Sequence, residues 1–194
     1  MQQKKLLDFG IPLQEIEAFF EQGTIKKIPA NTVLLKESQT CNSFTFLKSG
    51  ITRHYIITNN GKEITKNFTT EKQFVFYSIS SFLDGKPSKV QFQTLTDCEL
   101  IQWNKKKFNH FFYKNNWKEF YHHILQNIIL KKEEKEISHL KDDAQKRYEN
   151  FLYKKGNLLN QIPNYHIASY LGITPETLSR IRKKHLDIYQ CDKF

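Results

Sequence analysis

Glu176, Ser179 and Arg180 share one side of a short helical pattern, with Arg182, Lys183 and Lys184 close behind them. A carboxylate, a hydroxyl and a guanidinium at this spacing make a poor core surface. They make a good surface for reading base edges in a major groove. Such a face needs a rigid support, and the stretch from Ile162 to Lys184, IPNYHIASYLGITPETLSRIRKK, predicts one: two short helices joined by a tight corner. Pro163 can open the first helix, where Ile167 and Leu171 are four apart on one face and small Ala168 lets a second helix cross closely. Gly172 stands where a positive φ is wanted, and Ile173 plugs the corner. Thr174 suits an N-cap, and Pro175 suits the first helical position, where its missing N–H costs nothing. Leu178 and Ile181 are then predicted to face inward. An ordinary helical hairpin with a glycine cap is the plainer alternative, and the polar outer face argues against it.

The ending IASYLGITPETLSRIRKK, with Arg147-Tyr148-Glu149 upstream, resembles the C-terminal domain of the Crp/Fnr transcription regulators, in particular a subgroup common in Bacteroidetes-type bacteria. The close resemblance covers about the last fifty residues. It implies that Glu176, Ser179 and Arg180 contact bases: Arg180 suits guanine O6/N7 by bidentate donation, and Glu176 can accept from cytosine N4. Thr174, Thr177, Arg182, Lys183 and Lys184, with Lys155 as a further candidate, are expected at phosphates, which position a protein without reading sequence. Many members carry an Arg where this chain has Pro175, and many have a longer β-wing than the ten residues after Lys184, which include Ile188 and Tyr189, can build.

The rest of the composition agrees with a polyanionic partner. The 194 residues carry a formal charge of +10, and the sequence pI is about 9.4. That balance points to nucleic acid or an anionic membrane surface. Sixteen Phe, nine Tyr and two Trp allow a substantial core despite a mean hydropathy of −0.62. The N-terminal MQQKKLLDFG has no apolar signal region, and no stretch approaches a membrane span, so a cytoplasmic protein with no membrane partner is expected. Cys41, Cys98 and Cys191 are far apart and odd in number, which argues against a disulfide framework and a structural zinc site.

Taken in order, the chain predicts an α+β protein. Residues 12–21 place Leu13, Ile16, Phe19 and Phe20 on one helical face behind a proline. From Thr24 to about Trp103 the period becomes two, as in Phe44/Phe46, Ile51/Arg53/Tyr55/Ile57 and Ile64/Lys66/Phe68. Regular turn signals predict an antiparallel, cupin-like jelly-roll β-roll, and Asn60-Gly61 predicts a type I′ hairpin. A short helix over 104–116, with a corner at Asn115-Asn116, leads into a long helix from Trp117 to about His139. A further helix begins near Asp142. The expected division is a sensor-like roll at 1–112, a long dimerisation helix at 113–140, and a helix-turn-helix, winged-helix-like domain at 141–194. By resemblance the long helix pairs with its twin through Trp117, Tyr121, Ile124 and Ile128. An apolar stripe of this kind serves equally to bury a helix in its own monomer.

Cyclic-nucleotide-binding members of the resembled group carry a Gly-Glu pair and an Arg-Ser/Thr-Ala cradle. Here the corresponding positions read Phe76-Tyr77 and Ser88-Lys89-Val90, so the ribose acceptor and the phosphate-binding arginine are missing. Phe76, Tyr77, Ser88 and Lys89 are the expected lining of any effector pocket. No four-cysteine set is available for an iron–sulfur cluster. A metal-binding or catalytic roll with a helical interaction tail is the competing reading, and a nonspecific nucleic-acid binder is a third. Only His54 among the histidines lies in the strand region, and no HExxH, Gly-x-Ser-x-Gly or phosphate loop occurs. No catalytic residue, metal or cofactor is therefore assigned. The resemblance implies a homodimeric regulator bound to a pseudo-palindromic duplex, with RNA polymerase and a small-molecule effector as further partners.

Overall fold

The computed structural model describes the backbone of residues 2–191 and the side chains of residues 4–114 and 116–185. Two helices, α1 (Gln2–Asp8) and α2 (Leu13–Glu21), precede the strands β1 (Thr24–Ile28), β2 (Val33–Leu35), β3 (Ser43–Ser49), β4 (Ile51–Ile57), β5 (Glu63–Thr70) and β6 (Gln73–Phe76). A short α3 (Ile79–Asp84) leads to β7 (Gln91–Thr94) and β8 (Cys98–Asn104). Then come α4 (Lys105–Phe112), α5 (Asn115–Lys141), α6 (Ala144–Lys155), a 3-10 turn at Gly156–Leu158, α7 (Asn164–Leu171) and α8 (Pro175–Cys191). The antiparallel roll followed by a long helix is the architecture that the periodicities predict.

Two four-stranded sheets, ordered β1-β8-β3-β6 and β2-β7-β4-β5, form the roll, and every pairing is antiparallel. The alternation in β3 has a simple cause. Phe44 and Phe46 reach α4 and α2 through Phe108, Phe112 and Phe20, whereas Leu47 joins Cys98 and Leu100 in a separate small cluster. On the first side Trp103 stacks on Phe19 at 4.2 Å between centroids, and its indole N–H donates to the Phe19 carbonyl at 2.7 Å. This aromatic core fixes α2, α4 and the start of α5 on the sheet. Leu13, expected on the buried face of α2, is exposed, because the helix rests on Ile16 and Phe19.

The β4–β5 hairpin forms where Asn60-Gly61 predicts it, but not through a type I′ turn. Only Gly61 has a positive φ (79°), and its N–H donates to Thr58 O at 2.8 Å. That is a type I-like turn closed by one left-handed residue, in a loop longer than two residues. The corner before the long helix is at Tyr113-Lys114, just ahead of the expected Asn115-Asn116.

Helix α5 buries one residue of the expected dimer seam within its own chain. Trp117 is turned into its own core, packed against Phe111 and Phe112, with its N–H donated to Glu15 at 2.9 Å. Tyr121 and Ile124 lean on the same core, whereas Ile128 is exposed. A stripe with 3-4 spacing describes a face of the helix without saying what covers it, and here the chain's own roll covers most of it. A different set, Ile129, Leu130, Ile137 and Leu140, points outward.

Candidate nucleic-acid interface

The two helices of the expected reading unit are built as their residue types dictate. Gly172 ends α7 at φ 68°, ψ 34°. The Ile173 N–H returns to Ala168 O at 3.0 Å and the Gly172 N–H to Ser169 O at 3.2 Å, a Schellman closure that a side chain at position 172 would strain. The Thr174 hydroxyl accepts from the Thr177 N–H at 3.2 Å, and Pro175 is the first residue of α8. Ile167, Ala168, Leu171 and Leu178 are buried together, with Ile173 and Ile181 at the edge of the cluster. Behind them Arg147 ties α6 to the end of α7 by donating to Leu171 O at 2.9 Å and to Asp142 O at 2.6 Å. Asp143 caps α6 by accepting from the Lys146 N–H at 2.8 Å.

With Leu178 inward, Glu176, Ser179 and Arg180 are exposed on the outer side of α8. Its own backbone N–H and the Thr174 hydroxyl keep the Glu176 carboxyl below the usual range, so it stays an ionised acceptor. Lys183 and Thr174 are exposed beside them, and Thr177 is half-buried. Arg182 donates to Asn164 at 2.6 Å, bracing the start of α7, and Lys184 reaches Gln145 at 3.5 Å. Both keep donors to spare, since a guanidinium has five and an ammonium three. A groove of about 310 Å³ runs between the two helices, lined by Asn164, Pro175, Leu178, Ser179, Arg182 and Lys183. Helix α8 continues to Cys191, and among the described residues no strand follows it. The side chains of Ile188, Tyr189 and Cys191 lie outside the described residues.

Lys155 faces the roll. Its ammonium donates to Phe68 O at 2.9 Å and Asn67 at 3.1 Å, on the roll. It belongs to a set of contacts that the sequence does not announce. Strand β5 is the edge of its sheet, so its outward N–H and C=O groups need partners. The Ser169 hydroxyl of α7 accepts from the Thr65 N–H at 2.9 Å and donates to Glu63 O at 3.2 Å. Lys135 of α5 donates to Lys66 O at 2.6 Å. Helices α5 and α7 thus dock on the roll by completing a sheet edge. The apolar part of the contact joins Ile51, Phe68 and Leu95 of the roll to Tyr148, Phe151 and Leu158.

A buried polar contact fixes the register. The Arg53 guanidinium, over the Tyr55 ring at 4.0 Å, donates to Gln93 at 2.9 and 2.7 Å and pairs with Glu63. It also meets His166 Nδ1 of α7 at 2.8 Å. Arginine can only donate, so Nδ1 accepts and His166 is the neutral Nε2–H tautomer. Burial and the adjacent guanidinium push its pKa down to about 4. His54, on the opposite face of β4, donates from Nε2 to Phe76 O at 2.8 Å, and burial lowers it to about 4 as well.

Of the expected effector residues, Phe76, Tyr77 and Ser88 are buried. Phe76 packs on Phe44 and Phe82. Tyr77 stacks on Phe92 at 4.4 Å, and burial raises its phenol to about 12. The Ser88 hydroxyl donates to Val90 O at 2.7 Å, and Lys89 is exposed. At these positions the chain offers no carboxylate for a ribose and no arginine for a cyclic phosphate. Among the described residues no group of three or more His, Cys, Asp or Glu is placed to hold a metal ion, and no helix is long and apolar enough to cross a membrane.

The sequence matches the cyclic nucleotide-binding domain family over residues 25–115. No curated protein gives a sequence match. Among solved structures the chain is similar to the c-di-GMP-responsive global regulator CLP of Xanthomonas campestris, with a TM-score of 0.70, 16% identity, and 91% of this chain and 92% of that one covered. FixK2 of Bradyrhizobium japonicum gives a TM-score of 0.73 at 15% identity, over 84% and 83% of the two chains. A crp/fnr-family transcriptional regulator from Eubacterium rectale gives 0.72 at 16% identity, over 92% and 85%. Residues 25–115 thus match the cyclic nucleotide-binding domain family, in a chain that shares its fold with these three structures.

Proposed function

We propose that this protein is a sequence-specific DNA-binding transcription regulator acting as a homodimer on a pseudo-palindromic operator. The observation that carries this reading is the two-sided character of α8. Leu178 is buried against α7, while Glu176, Ser179 and Arg180 are held outward by a capped, glycine-closed corner. Arg180 and Glu176 read guanine and cytosine edges, and Ser179 adds an adaptable hydroxyl. Thr174, Thr177, Arg182, Lys183 and Lys184 take phosphates. Residues 1–112 serve as the sensor-like unit, 113–140 as the dimerisation helix and 141–194 as the DNA-binding unit. The twin packs along α5 through Leu130, Ile137 and Leu140, which recur at seven- and three-residue steps and are 60%, 52% and 84% exposed. Half-sites then lie about 34–36 Å apart. RNA polymerase is the further partner such a regulator addresses, and the cytoplasm is where it acts. No catalytic step is assigned to any residue.

The test is Arg180→Ala on a cognate duplex, read by fluorescence anisotropy. The expected loss is about 1–3 kcal/mol, with relaxed preference at one base pair per half-site. Lys183→Ala is expected to weaken all sequences alike and to reduce the salt slope by about one. Unchanged sequence preference in Arg180→Ala removes the assignment.

A further inference from the structure

Five lysines converge where the roll meets the helices: Lys66 on β5, Lys131 and Lys135 on α5, and Lys154 and Lys155 on α6. Two of them are held in place. The Lys135 ammonium sits over the Tyr170 ring of α7 at 3.9 Å and donates to Lys66 O. The Lys155 ammonium lies 5.5 Å from the same ring and donates to Phe68 O and Asn67. Both are half-buried, whereas Lys66, Lys131 and Lys154 are exposed at the rim. Glu134, paired with Lys154, is the one carboxylate in an ion pair with any of the five among the described residues. The cluster therefore carries an excess of positive charge, and two of its five ammonium groups are fixed by carbonyls and a ring.

We propose that this junction is a binding site for a small anion bearing phosphate groups. Three features support it. Preorganised ammonium groups bind phosphate more tightly than free surface lysines, because less side-chain freedom is lost on binding. The local charge is unbalanced: burial and the neighbouring lysines depress both Lys135 and Lys155 to about 8, a cost that an anion relieves. The donors come from β5, α5 and α6 around a ring of α7, so an occupant touches the elements that set α7 on the roll. Lys135 and Lys155 each keep an N–H beyond those given to the β5 edge, so an anion can bind while that edge stays held.

Inorganic pyrophosphate is the probe, titrated calorimetrically into the full chain at constant ionic strength. The wild type is expected to bind with defined stoichiometry. Lys135→Met/Lys155→Met is expected to weaken binding at least about tenfold, the loss of one or two charge-assisted hydrogen bonds. Lys26→Met/Lys27→Met, on exposed β1, leaves it unchanged. Because the first pair also supports the β5 edge, Lys66→Met/Lys131→Met is measured beside it. That variant removes rim charge without touching a carbonyl contact, and weaker binding is expected there too. Equal losses in the β1 control, or binding without saturation, overturn the proposal. So does stoichiometric displacement of pyrophosphate by duplex DNA of any sequence, together with an equal loss of duplex affinity in the junction variants. That result assigns the lysines to the nucleic-acid backbone.

Discussion

Replacing Arg53 by Met tests whether one buried guanidinium registers the reading unit on the roll. Methionine keeps most of the aliphatic length and the packing over Tyr55, and removes the charge and all donors. The Arg53 side chain is 3% exposed and Glu63 is 44% exposed. The carboxylate therefore rehydrates when its partner goes, and that ion pair contributes little. Gln93 and His166 Nδ1 fare worse, because they are left as poorly solvated acceptors. Each hydrogen bond to a charged group is worth about 1.5–3 kcal/mol, and relief from desolvating the guanidinium offsets part of the loss. The net expectation is about 3 kcal/mol, or a fall in Tm of roughly 6–12 °C for a chain of this size. Calorimetry gives the magnitude, and amide hydrogen exchange gives the place. Exchange is expected to accelerate at the Thr65 N–H, which Ser169 holds, and along α7, before it does in β3 and β8. A fall below about 1 kcal/mol with an unchanged Thr65 amide refutes the account of docking.

The same contacts make stability depend on pH. His54 and His166 have folded pKa values depressed from 6.5 to about 4, so between those values the unfolded chain binds more protons. Their contribution is complete above about pH 6.5 and is lost as pH falls toward 4, by up to roughly 3 kcal/mol per histidine. His166→Gln is expected to flatten part of this slope in urea titrations across pH 4–7. Leu130→Asp/Leu140→Asp is expected to convert a dimer to monomers in sedimentation velocity, whereas Ile124→Ala lowers stability and leaves the dimer intact. A dimer that survives the aspartates removes the α5 seam.

Local chemistry was legible in the sequence, and long-range coupling was not. The α7–α8 corner reads directly, because Gly172, Thr174 and Pro175 act within a few residues of their partners. The strands read from alternation, because β3 and β4 each present different neighbours on their two faces. The turn at Asn60-Gly61 was placed correctly and typed wrongly, since a loop longer than two residues needs only one left-handed position. Trp117 lies under its own roll, and in sequence an apolar face looks the same whether a twin or its own roll covers it. Arg53, Ser169, Lys135 and Lys155 were missed as docking residues. Arg53 finds His166 across 113 positions, and Thr65 finds Ser169 across 104. The one available hint was a charged residue at an inward-reading place in β4, where a buried arginine requires partners.

Selection of bound duplexes from a random pool, with the purified full chain at near-physiological salt and no added ligand, tests the central reading most directly. An enriched pseudo-palindrome with half-sites about one helical turn apart is the predicted result, and Arg180→Ala should lose the preference at one position of each half-site. Retention of the pool without enrichment, with a steep salt dependence, would contradict it and leave a protein that binds nucleic acid through its charge alone.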